Sequence, residues 1–243
     1  MKNKKDDKFS YALGITLTFE LLNFRPKDCV SVYIHSKFTD ANSFEKLINL
    51  CKEKNIEVIY SDKIFNVLSS KENCYVIGKF KRFNESLEKN SDHIVLVNPS
   101  NAGNLGTIIR TCVGFGINNL VLITPCVDIF DPKCVRASMG SIFRLHFSFF
   151  SSFDEYERNY PQNTIYLFML KAKNNLSTVT FKHPASLVFG NEATGLPDSF
   201  LNYDNTLIIK HTNNIDSLNL TIAASIACYE LTKTNFKQGN ICK

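Results

Sequence analysis

Residues 98–116 read NPSNAGNLGTIIRTCVGFG, and this boundary decides the fold. Just upstream, HIVLVN (93–98) is an apolar run of strand length. Pro99 stops it, and Asn101 to Asn104 form a polar turn. Leu105, Ile108, Ile109, Cys112 and Phe115 then fall at i, i+3, i+4 spacing, which predicts a helix over about 103–115 with one buried face. Gly116 is a natural stop for it. Strand, tight turn and helix make the repeating unit of an α/β sheet, whose ligands collect at the carboxyl ends of its strands. The stretch has neither the lysine of a P-loop nor the spacing of a dinucleotide fingerprint. It offers one cation, Arg110, which points away from the apolar stripe. An arginine keeps its proton, so its candidate tasks are phosphate binding or polarising a hydroxyl.

Moving outward, the same alternation continues. NLVLITP, LHFSFF, TIYLFML, SLVFG and TLIIK are further strand candidates, with helices expected near 133–143, 152–159 and 217–232. Such alternation implies a mostly parallel, doubly wound sheet. Upstream of residue 84 lies a smaller α/β pattern. YALGITLTFELLNF carries a helical stripe, CVSVYIHS, IEVIYS and CYVIGKFKRF read as strands, and SFEKLINLCKEKN as a helix. Asp62 is a capping candidate for a short helix over DKIFNVLSS. NESLEKNSD is polar and lacks periodicity. The organisation expected is a small domain over 1–84, a linker over 85–91 and a larger domain over 92–243.

The 243 residues have an ordinary globular composition, 44% hydrophobic and 21% charged. No apolar run reaches the ~20 residues of a membrane span. No apolar stretch of signal-peptide type follows the basic start, so the cytoplasm is the expected compartment. Eight cysteines form no CxxC pair and no metal-ligand spacing with histidine, which reads as free thiols in a reducing compartment. The net charge is +5, with most of the excess before residue 91. That suits a polyanionic partner without demanding one.

Two more stretches can carry chemistry. In LVFGNEATGLPDSFL, a buried strand ends at Gly190, followed by Asn191, Glu192 and Gly195. Glycines there let a backbone approach a flat ligand closely. In IIKHTNNIDSLNLTIAASIACYEL, a polar loop precedes a helix of small residues that Ser217 is expected to cap. No Ser/His/Asp order, paired catalytic carboxylates or zinc pattern occurs. Arg136 and Arg144, in VRASMGSIFRL, are candidates for phosphate contact, as are Lys79, Lys81 and Arg82.

Together the three stretches resemble the SpoU-type RNA 2′-O-ribose methyltransferases, the TrmH family of the SPOUT superfamily. Asn101, Gly103 and Arg110 match the first motif, Gly190, Glu192 and Gly195 the second, and Ser217, Leu218 and Asn219 the third. RASMGSIFRL is similar to a stretch of the branch acting on ribosomal RNA, and the N-terminal unit looks like that branch's L30e-like substrate-binding domain. The resemblance implies a C-terminal trefoil knot that binds S-adenosylmethionine, a homodimer with the cofactor near its interface, and no metal. It implies methylation of a ribose 2′-hydroxyl in structured RNA, 23S ribosomal RNA being favoured over tRNA. An inactive RNA-binding relative is the alternative. Arg110 would be catalytic, assisted by Asn101, Glu192, Ser217 and Asn219. Leu187, Phe189, Gly190, Asn191, Glu192, Gly195, Ile209, Leu218 and Asn219 would hold the cofactor. The third motif departs from the family pattern: Lys210 and His211 replace its Pro-Met, and Asn213 and Asn214 follow.

Overall fold

A computed structural model describes residues 8–68 and 73–237. The basic start up to residue 7 and Cys242 lie outside the described residues. In chain order the elements are β1 (Phe9–Leu13), α1 (Ile15–Phe24), β2 (Cys29–Ile34), α2 (Ala41–Glu53), β3 (Glu57–Tyr60), α3 (Lys63–Leu68), β4 (Val76–Lys81), β5 (His93–Val97), α4 (Ala102–Gly114), β6 (Asn119–Ile123), α5 (Pro132–Ala137), β7 (His146–Phe150), α6 (Phe153–Asn159), β8 (Thr164–Phe168), β9 (Asn174–Asn175), β10 (Ala185–Phe189), β11 (Thr206–Ile208) and α7 (Leu220–Thr232).

They form two compact units. The first takes in the chain up to Phe83 together with Asp128–Arg144. Its sheet runs β1-β4-β2-β3, antiparallel except for the β2–β3 pair. Residues 11–13, read as the start of a helix, are strand instead: Gly14 at φ +110° breaks the apolar run, and the helix begins only at Ile15. Asp62, read as a helix cap, accepts from the Ser36 N–H and hydroxyl, each at 2.8 Å.

The segment 128–144 differs most from the sequence reading, which put it in the larger domain. It packs inside the first unit through long-range contacts. Ser10 Oγ donates to Phe130 O at 2.6 Å, and Arg25 Nε to Phe143 O at 3.0 Å. The Phe130 and Phe143 rings lie 6.1 and 5.2 Å from that of Phe80. Gly140 sits at φ +85°, and a Cβ there would lie 2.6 Å from Glu20 Cβ. Only glycine fits both the conformation and the space.

The second unit, 84–127 with 145–243, is built on a seven-stranded sheet in the order β7-β6-β5-β10-β8-β11-β9, with every pair parallel. Every residue of β5, β6 and β10 is buried, which explains their uninterrupted apolar sequences: such strands have a covered layer on each face. Val95, Val121, Leu167 and Val188 form the core of one face with Phe153 and Tyr156 of α6. The seven described cysteines form no disulfide with one another, and six of them are buried.

Candidate active site

The loop after β5 is set by short polar contacts. Asn98 adopts a left-handed φ of +52°, which asparagine tolerates better than most residues. Its amide donates to Pro125 O at 3.2 Å, and its carbonyl accepts from Asn191 Nδ2 at 2.8 Å. Asn101 caps α4, its side chain accepting from the N–H groups of Gly103 and Asn104 at 2.8 and 3.0 Å. A cap of this type contributes about 1 kcal/mol.

Glu192 holds the same loop from the other side. One carboxylate oxygen accepts from Ser100 N–H and hydroxyl at 3.0 and 2.9 Å; the other accepts from Asn101 N–H at 3.2 Å and Asn104 Nδ2 at 3.3 Å. Burial pushes its carboxyl pKa up, but the hydrogen bonds from Ser100 and Asn104 outweigh burial and hold it below the ordinary carboxylate range. An ionised carboxylate with four donors is an orienting group and a poor proton acceptor.

Beyond the loop, Leu105, Ile108, Ile109 and Cys112 are wholly buried, while Arg110 is exposed. Arg110 has no hydrogen bond or ion pair among the described residues. The helix packs on α7, where Thr111 and Ser225 hydroxyls meet at 3.3 Å and Cys112 faces Cys228.

A cavity of about 320 Å³ opens at the carboxyl ends of β8, β10 and β11. It lies within the range of about 300–1,000 Å³ typical of small-molecule sites. Of the residues expected to hold a cofactor, Phe189, Gly190, Asn191, Glu192, Gly195, Ile209 and Leu218 line it, and Ser217 joins them. Leu187 is wholly buried inside β10. Asn219 instead caps α7, the role expected of Ser217, accepting from Thr221 N–H at 2.8 Å. Asn101 and Arg110 lie outside the lining.

Sequence reasoning missed Phe168 to Lys171 and Asp198 and left His211 without a role; all of them line the walls. Phe168 stacks on Phe189 with centroids 4.5 Å apart and planes 15° from parallel. Lys171 and Asp198 pair across two loops at 2.7 Å. The signal available for Phe168 was its place at the end of β8, next to β10 in a parallel sheet; strand order, which local patterns leave open, was needed to use it.

The candidate RNA-contacting cations divide. Arg82 pairs with Asp128 and lies over the Phe130 ring, and Arg144 pairs with Glu20 over the Phe24 ring. Both serve the packing of 128–144. Lys79 sits 4.4 Å over the Phe9 ring, Lys81 is exposed, and Arg136 is half-buried in the last turn of α5.

Comparison with known proteins places this geometry. A Listeria monocytogenes protein with the provisional designation tRNA (cytidine(34)-2′-O)-methyltransferase is 36% identical over 152 residues, 60% of this chain and 89% of that protein. The 23S rRNA (adenosine(1067)-2′-O)-methyltransferase of Streptomyces azureus is 27% identical over 210 residues, 81% of this chain and 78% of its own. The AdoMet-bound rRNA methyltransferase of Sinorhizobium meliloti shares the fold, with a TM-score of 0.79 at 22% identity, over 93% of this chain and 88% of that one. The model of the SpoU rRNA Methylase family matches residues 91–229, more than half of the chain and the whole of the cavity and its flanking loops, so the chain belongs to that family.

Proposed function

We propose that this protein transfers a methyl group from S-adenosylmethionine to a ribose 2′-hydroxyl of RNA. The observation that carries the reading is the Glu192 clamp. A residue in the cavity wall accepts four hydrogen bonds from the loop that begins α4, so the donor cavity and the Arg110 helix of one chain are fixed to each other, and in a two-fold dimer each Arg110 would then meet the partner's cavity in one set geometry. Closely apposed backbone at Gly190 and the stacked Phe168–Phe189 pair suit a flat nucleoside bound largely by main chain. Residues 189–192, 209 and 218 would hold the cofactor, in keeping with a C-terminal knot. When bound, it supplies an electrophilic methyl on a sulfonium. As the 2′-hydroxyl oxygen bonds the methyl carbon and the S–C bond breaks to release S-adenosylhomocysteine, Arg110, permanently charged, would stabilise that oxygen while its proton passes to solvent water. Asn101 and Glu192 would fix the direction of that helix.

Ribosomal RNA is the substrate we favour. The Streptomyces azureus relative aligns over 81% of this chain, whereas the tRNA relative aligns over 60%. The first unit would position the RNA by phosphate and shape contacts, with Lys79, Lys81 and Arg136 the cations left for that work. Free thiols suit the cytoplasm. Titration with S-adenosylmethionine by calorimetry, followed by mapping of ribose methylation on ribosomal RNA and tRNA, tests the reading; absence of cofactor binding would sink it.

A second copy of the chain would cover α7. Ile222, Ile226 and Tyr229 recur at i, i+4, i+7 and are 50, 36 and 53% exposed, an apolar stripe on the helix that packs against α4, with the Tyr229 ring meeting that of Phe115 at one edge. Arg110 would then reach the cofactor held by the partner. Ile226→Asp is expected to shift the protein from dimer to monomer in sedimentation at micromolar concentration and to remove activity with it. A dimer of undiminished stability would place the interface elsewhere.

A further inference from the structure

We infer that His211 is a hydrogen-bond acceptor for the nucleoside part of the methyl donor; this rests on the function proposed above. His211 stands where the third motif departs from its family pattern, and it lines the cavity. Its Nδ1 lies 3.0 Å from the carbonyl oxygen of Ile209, two residues back in the same loop. A carbonyl can only accept, so Nδ1 carries the hydrogen. In the neutral ring Nε2 then bears a lone pair and no proton. Nε2 has no partner among the described residues, and the side chain is half-buried. The main chain of the loop therefore selects the tautomer and leaves one acceptor at the cavity wall.

The other charged groups of that wall are occupied elsewhere. Lys171 and Asp198 hold each other at 2.7 Å, and Glu192 is bound to the loop at 100–104. Lys210, next in sequence, is exposed. A nucleoside offers donors of the matching kind, its ribose hydroxyls and its exocyclic amine.

The test is calorimetric titration of the full chain with S-adenosylhomocysteine, which lacks the sulfonium charge. His211→Leu, which removes the acceptor, is expected to bind about three- to tenfold more weakly than wild type, the worth of one net hydrogen bond. His211→Gln, whose amide oxygen accepts, recovers affinity. Wild-type affinity in His211→Leu, or no recovery in His211→Gln, would overturn the inference while leaving the methyltransferase reading intact. No binding by wild type would remove both. Independently of any variant, ¹⁵N spectra of the imidazole should show the Nδ1–H tautomer in the free protein; the Nε2–H tautomer would refute the assignment.

Discussion

Arg110→Ala is expected to cut methyl transfer about 10²–10³-fold, the usual contribution of one positioned donor that stabilises developing negative charge, with donor affinity changed by no more than a few-fold. The reasoning starts from what Arg110 does not do. It is exposed on α4, lies outside the cavity lining and holds no partner among the described residues. Its loss therefore leaves no buried charge or cavity, and stability should stay within about 0.5 kcal/mol. An arginine used for packing would behave in the opposite way. Arg82, paired with Asp128 over the Phe130 ring, should cost stability when removed. Single-turnover methylation of ribosomal RNA, alongside thermal unfolding, separates the two. Turnover within tenfold of wild type would remove Arg110 from the mechanism. Arg110→Lys keeps the charge but loses the planar fork, so it should recover only part of the rate.

Much of the second unit was legible because its signals are local. The helix expected over 103–115 forms at Ala102–Gly114, since a capping asparagine and an apolar stripe act within a few residues of each other. The buried parallel strands announce themselves as unbroken apolar runs. What failed was non-local. The placement of 128–144 depends on Ser10, Glu20, Arg25 and Phe80, more than a hundred residues before much of that segment or some fifty before its start, and a lone arginine such as Arg144 looks the same whether it meets RNA or Glu20. Helix propensity in residues 11–13 lost to sheet pairing with β4, where Tyr11 faces Lys79 and Leu13 faces Ile77. The cavity was half legible for the same reason. Its glycines and Glu192 sit in one short stretch, whereas Phe168 arrives from β8, Lys171 from the loop after it and His211 from the loop after β11.

Gly190→Ala is expected to abolish donor binding, because the space a methyl would need is already backbone. A Cβ at Gly190 would lie 2.1 Å from the carbonyl carbon of Gly195 and 2.3 Å from both its oxygen and the Leu196 nitrogen. No side chain can swing aside, since all three atoms are main chain. The loop is also closed on itself: Gly195 N–H donates to Asn191 O at 2.9 Å, and the Asn191 side chain accepts from Ala193 N–H at 2.9 Å. Relieving the clash means parting these two stretches by more than an ångström, which breaks that closure and shifts Glu192 off Ser100. Overpacking a fitted interior costs about 1–3 kcal/mol and sometimes more; backbone against backbone belongs at the upper end, equivalent to at least about a hundredfold in affinity. Gly195→Ala is the internal control. Gly195 sits at φ +68° with nothing within 4 Å of the would-be Cβ, so alanine there meets only conformational strain of about 1–3 kcal/mol and leaves the close approach at Gly190 intact. Calorimetry with S-adenosylhomocysteine should therefore rank wild type first, Gly195→Ala next and Gly190→Ala last with no measurable binding. Equal affinities for the two variants would mean that the apposition at Gly190 is not what shapes the cavity.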